Sequence, residues 1–305
     1  MKKITLLTTF LLILVVSLKA QDMFEAKRLT FDPVQEGFPT WSPDGKFIIH
    51  QHTNMTIDTV GKNGLWKISA DGSGAKQIFS GIAEHPRLSP DGRYVVFDAD
   101  FGNDINMIPS KGGDPIKFLP DTIRIHRGGL PNWSPDGSQI AFKDSLGSLC
   151  IHNYKTGKAT RIFHKDGMLA LPGCWSEDGK YVLIALMNRE SRKSTIWKIS
   201  SDGKDIRQIT GHHENFYRYL ALSPDGSLLV YSAMVERALG LYIMLTEGGN
   251  SLPLAVTPKS HNESASWSPD GKKIAFTSTR AGSFDIWIMD VDIELIIKKL
   301  HTINK

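Results

Sequence analysis

Short runs of aliphatic, β-branched and aromatic residues recur along the chain, each interrupted by a turn of Ser, Pro, Asp and Gly. Ser-Pro-Asp-Gly stands at 42–45, 89–92, 134–137, 223–226 and 268–271, and Ser-Glu-Asp-Gly at 176–179. The turn aspartates Asp44, Asp91, Asp136, Asp178, Asp225 and Asp270 are spaced by 47, 45, 42, 47 and 45 residues. A fixed period of this length marks an array of similar units. In each unit Ser opens a type I turn and Gly closes the hairpin, and in five of the six Pro presets the second position.

The segments around these turns read as strands. A short extended segment precedes the turn, as at Phe38 to Trp41, Leu130 to Trp133 and Ser264 to Trp267. Strand formers follow it, as in Lys46-Phe47-Ile48-Ile49 and Lys273-Ile274-Ala275-Phe276. A third segment comes after a variable loop: Leu65-Trp66-Lys67-Ile68, Ile196-Trp197-Lys198-Ile199, Ile286-Trp287-Ile288-Met289. A second glycine turn then leads to a fourth, such as Arg207-Gln208-Ile209-Thr210. Four antiparallel strands in ~40–45 residues make one propeller blade. The predicted fold class is all-β, a six-bladed β-propeller of four-stranded antiparallel blades starting near 38, 85, 130, 171, 218 and 263.

Tryptophan placement supports the register. Trp41, Trp133, Trp175 and Trp267 precede hairpin turns, while Trp66, Trp197 and Trp287 sit in third strands. Large aromatics at fixed repeat positions suit blade-to-blade packing. Lys27-Arg28-Leu29-Thr30 resembles a fourth strand lying ahead of the first blade, and Ile293-Glu294 replaces the glycine turn of the last. The N-terminal strand is therefore expected to complete blade six. That leaves residues 291–305 peripheral or as an extra edge strand. Cys150 and Cys174 fall on third and first strands, so free buried thiols are expected.

Composition changes the picture at the N-terminus. The chain has 305 residues, with a formal charge of +4. Lys2 and Lys3 precede an apolar run from Ile4 to Leu18, and Ala20 offers a small residue at a cut site. This grammar predicts a signal peptide over 1–20, a single propeller domain over 21–305, and a periplasmic or secreted product. Removing the peptide leaves 33 basic against 32 acidic residues, a charge of +1. Nucleic acid loses its electrostatic support as a partner, and no transmembrane segment is expected after cleavage.

The repeat Pro-x-Trp-Ser-Pro-Asp-Gly-Lys-x-Ile-Ala-Phe, with the downstream Ile-Trp-x-Met-Asp, resembles the TolB-type propeller repeat. Residues 131–142 and 267–289 carry it best. The resemblance implies a periplasmic surface that docks an envelope protein such as a Pal-like lipoprotein. TolB proteins also carry an N-terminal α/β domain, for which the segment between the predicted cut and the first strand leaves no room. Contacts of that domain are not carried over.

In a four-stranded meander the serine-proline turns and second glycine turns share one end, and the variable loops share the other. Loops on a rigid scaffold are the usual home of binding groups. Six of the ten histidines lie in the blade-to-blade links of the variable end. The candidate binding residues are Glu84, His85, His126, Arg127, His212, His213, Glu214, Tyr217, Arg218, His261 and Glu263, with Glu84, His85, Arg218 and Glu263 at the channel mouth. Imidazole with carboxylate could hold a divalent metal such as zinc or manganese. No link shows a spacing such as His-Glu-x-x-His, so no cofactor is expected and the rim reads as solvated. His50 stands where Phe97, Phe142, Tyr231 and Phe276 stand in other repeats. A buried, hydrogen-bonded core role is expected for it, although the spacing to His52 puts both on one strand face.

The sequence lacks a Gly-x-Ser-x-Gly elbow and a Walker-type phosphate loop. A non-enzymatic binding module is the leading expectation, with no catalytic residue assigned. The alternative is a carbohydrate-active lyase or hydrolase, using a channel histidine as base and Arg127 or Arg218 to neutralise a substrate carboxylate. That reading resembles the oligogalacturonate lyases, whose seven blades do not match six repeats.

Overall fold

The computed structural model describes residues 22–53, 62–210 and 215–304. Six antiparallel four-stranded sheets succeed one another in chain order. Blade one, for example, runs Gln35–Trp41, Phe47–Thr53, Gly64–Ser69 and Lys76–Ser80. Blade six consists of Asn262–Trp267, Lys273–Ser278 and Asp285–Asp290, completed by Ala26–Arg28 from the N-terminus. Lys27 pairs with Ile288 and Arg28 with Trp287, so the ring closes as the repeat pattern predicts. Closure of this kind leaves fewer strand edges open to aggregation.

The serine of each turn explains why the tetrapeptide recurs. In all six repeats its hydroxyl donates to the turn aspartate, at 2.5–2.7 Å. The same oxygen accepts the N–H of the residue five positions on, at 2.9–3.0 Å. The aspartate in turn accepts the N–H two residues ahead of it, at 3.0–3.2 Å. Glycine closes the turn in the left-handed region, with φ near +68° at Gly137.

Each blade interface has its own apolar cluster. Ile49, Leu65 and Ile78 of blade one meet Val95 and Phe97 of blade two. Trp41 and Ile48 of blade one meet Ala275 and Ile286 of blade six. Cys150 is buried and Cys174 partly so, and both thiols are free. Of the two alternatives for residues 291–305, peripheral or an extra edge strand, the edge strand is not what forms: the tail is a helix, Ile293–Ile303. Asp292 caps it, accepting the Leu295 N–H at 2.9 Å, and Ile296 and Leu300 bury completely against the blade five and six core. A four-residue spacing places both side chains on one helix face, turned toward that core.

Candidate functional site

The innermost strands line the channel with two rings. Two residues before each turn serine stand Thr40, Arg87, Asn132, Cys174, Ala221 and Ser266, and all six face one funnel of about 270 Å³ at the turn end. Arg87 is the one charged member of this ring. Its guanidinium donates to the Pro86 carbonyl at 3.0 Å, and burial pulls its pKa below the usual arginine value.

Four residues before the turn serine the backbone bulges. Phe38, His85, Leu130, Tyr219 and Ser264 occupy this position with φ of 51–56°. Left-handed backbone at non-glycine residues costs roughly 1 kcal/mol each and must be held by its surroundings. Side chains of the preceding blade hold it. Thr277 accepts the Phe38 N–H at 3.0 Å and Gln51 that of His85 at 3.1 Å. Asp98, fully buried, accepts from Gly129 at 2.6 Å and Leu130 at 3.1 Å.

The bulge turns its side chains into the channel and closes it. The Phe38 ring lies 4.3 Å from His85 and 5.1 Å from Tyr219, both edge-on. His85 and Tyr219 complete the plug at 6.2 Å. His85 Nδ1 sits 2.8 Å from Asp98, which fixes the ring's orientation. Burial pushes the Tyr219 hydroxyl up to about 12, keeping it protonated. Beside the plug a narrow cavity is lined by His85, Arg87, Leu130, Pro172 and Arg218.

Charged groups surround the plug at the variable-loop end. Arg218 lies 4.7 Å over the Tyr219 ring and 5.4 Å from Phe216. Burial raises the Glu263 pKa, and the nearby Arg218, His261 and His85 partly offset that. Glu84 shares the field at Tyr219 with Glu263 and Arg218. Glu84, His85, Arg218, His261 and Glu263 therefore gather around one opening. Tyr217 is further out in the blade, packed at 5.4 Å on Tyr231. His126 and Arg127 are exposed on a link, with His126 3.4 Å from Asn103. His212, His213 and Glu214 lie outside the described residues.

A second cluster departs from the sequence reading. His50 is buried as the repeat register implies, but neither ring nitrogen has a hydrogen-bond partner among the described residues. The expectation of a hydrogen-bonded core histidine is thus corrected. Burial, with His52 beside it, outweighs an opposing pull from the Gln51 backbone, which lies too poorly aligned to count as a hydrogen bond, and lowers the His50 pKa to about 3, so the ring is neutral. Glu36 and His52 are also buried, and with His50 they could hold a metal. Glu36 went unremarked in the sequence because nothing in its local context marks it. Repeat alignment gives a signal, since the corresponding positions hold Ala83, Gly128, Ala170, Tyr217 and Asn262.

Fold and site together define a six-bladed β-propeller with a plugged channel and a charged rim. Among known proteins, the chain is 27% identical over 259 residues to the uncharacterized protein Atu1656 of Agrobacterium fabrum, covering 78% of this chain and 83% of that one. It is 27% identical over 167 residues to the Tol-Pal system protein TolB of Francisella tularensis subsp. mediasiatica, covering 53% of this chain and 38% of that protein. A solved structure from Agrobacterium tumefaciens, provisionally assigned as TolB, superposes with a TM-score of 0.63 at 21% identity, over 88% of this chain and 97% of that one. An oligogalacturonate lyase in complex with manganese superposes with a TM-score of 0.62 at 15% identity, over 91% and 96% of the two chains, a likeness of fold. No protein-family model matches. The protein is a TolB-like β-propeller.

Proposed function

We propose that the chain is an exported binding module of the cell envelope, with residues 1–20 as a cleaved signal peptide and 21–305 as one propeller domain. Its variable-loop end docks another envelope protein, a Pal-like lipoprotein by analogy with the Tol-Pal system to which its TolB relatives belong. The contact residues are Glu84, His85, Arg218, His261 and Glu263 at the centre, with Tyr217 further out. His126, Arg127, His212, His213 and Glu214 contribute from the surrounding links. Among the described residues no helix is long and apolar enough to cross a membrane.

The observation that carries this reading is the plug. Phe38, His85 and Tyr219 touch across the channel, so the rim presents a shallow aromatic and charged platform. Tyr and Arg on a rigid frame are the residue types that dominate protein interfaces. The His85–Asp98 pair favours a second reading, a lyase or hydrolase of acidic oligosaccharides, because an oriented imidazole is a general base. The Phe38 and Tyr219 rings packed beside His85 leave its side chain only 14% exposed, which opposes that reading, since a base must reach its substrate.

The test pairs two assays on the mature protein. Micromolar binding to a Pal-like lipoprotein, weakened in Arg218→Ala with Glu263→Ala, is the expected result. Cleavage of oligogalacturonate that disappears in His85→Ala, with no lipoprotein bound, would replace this reading with the second one.

A further inference from the structure

Blade one holds a polar cluster that neither the ring closure nor the rim uses. Glu36 stands on its innermost strand, and His50 and His52 on the neighbouring strand, where His52 pairs directly with Glu36. The cluster sits beside the seam between the first and last blades, across which the Glu36 N–H donates to the Phe284 carbonyl at 2.8 Å. Glu36, His50 and His52 are only 3%, 1% and 4% exposed. One ligand atom from each lies within 4.8 Å of the others.

The hydrogen bonding within this cluster is incomplete. Glu36 Oε1 lies 2.7 Å from His52 Nε2 and 3.9 Å from His50 Nδ1. Glu36 Oε2, His52 Nδ1 and both nitrogens of His50 have no partner among the described residues. Buried polar atoms are almost always paired, so four orphans in one cluster call for a missing counterpart. A carboxylate and two imidazoles share a preference for a divalent transition metal. A tetrahedral zinc centre with ligands at ~2.0–2.1 Å spaces its donors by ~3.3 Å, between the two separations observed here.

Packing does not require these residues. At the His50 position the other blades carry Phe97, Phe142, Ile184, Tyr231 and Phe276, all apolar or aromatic. At the Glu36 position none of the other blades carries an acid. Trp66 lies flat on His52, at 4.5 Å and 14°, and restricts its orientation.

We infer that Glu36, His50 and His52 supply three ligands of a buried divalent-metal site of the zinc class. Bound there, the ion bridges the first two strands of blade one beside the seam where the N-terminal strand closes the ring. Its role is then structural, and it is independent of what docks at the rim.

The test uses the full mature chain with zinc chloride as the probe, and His50→Phe and Glu36→Gln as variants. His50→Phe installs the residue that other blades carry, so it preserves packing. The wild type is expected to keep about one zinc per chain through gel filtration and to melt higher with zinc than with chelator. Both variants should bind zinc more than ~100-fold more weakly, since loss of even an outer-shell partner costs 10–100-fold. Cobalt(II) should give visible d–d bands with the wild type and none with Glu36→Gln, a readout that does not depend on stability. A wild type that retains no zinc would overturn the inference. So would equal zinc retention in wild type and both variants, which would place the ion on surface histidines.

Discussion

The two ends of this propeller are built by opposite means. At the turn end a Ser-x-Asp-Gly turn recurs in every blade, and each serine hydroxyl donates one hydrogen bond and accepts another. At the variable-loop end a left-handed bulge recurs in five blades, but the side chains it carries differ from blade to blade, so the ring plug and the buried charges each occur once. Repetition marks what every blade needs in order to fold. Departure from the repeat marks what one location needs in order to act, and such sites often store the strain that a fold otherwise avoids.

Substitutions sharpen this contrast in order of size. Asp98→Ala should have the largest effect, about 3 kcal/mol of destabilisation in urea unfolding, because it strands two buried N–H groups and His85 together. His50→Phe with chelator present should act in the opposite direction and stabilise by about 1–3 kcal/mol, since it removes a buried imidazole without partners. A loss of stability there would show that His50 is satisfied without metal. Ser134→Ala should cost about 1 kcal/mol by deleting one turn hydroxyl.

The turn end should also set the acid limit. Serine hydroxyls and backbone N–H groups hold Asp91, Asp136 and Asp178 at about 2, below the usual 3.8. Carboxyls with lowered folded pKa values stabilise fully above their unfolded value and lose that contribution as pH falls through the folded one. The melting temperature should therefore decline between pH 4 and pH 2, with the decline shallower in variants lacking the turn serines. Lys180→Ala, an exposed partner of Asp178, should have the smallest effect, within about 0.5 kcal/mol.

How much of this was legible in the sequence follows from the same contrast. The blades were legible because each carries its own turn, and Lys27 and Arg28 marked the closing strand. Glu84, His85, Arg218 and Glu263 were legible as neighbours because the repeat assigns them to one end. The plug was not, because the bulge that turns Phe38 inward needs φ near +53°, which no residue type there advertises. His50 was legible as buried but not as unpartnered, since orphan nitrogens appear only when every neighbour has been placed. The helix over Ile293–Ile303 was missed although Asp292, Ile296 and Leu300 carry its cap and spacing.

The central claim is that binding belongs to the variable-loop end and folding to the turn end. Calorimetric titration of a Pal-like lipoprotein into two folded variants tests it directly. Arg218→Ala with Glu263→Ala should weaken binding at least ~30-fold, the loss expected from a hot-spot residue worth about 2 kcal/mol. Lys180→Ala with Lys272→Ala at the turn end should leave the affinity unchanged. Full affinity in the first variant and a comparable loss in the second would contradict the claim.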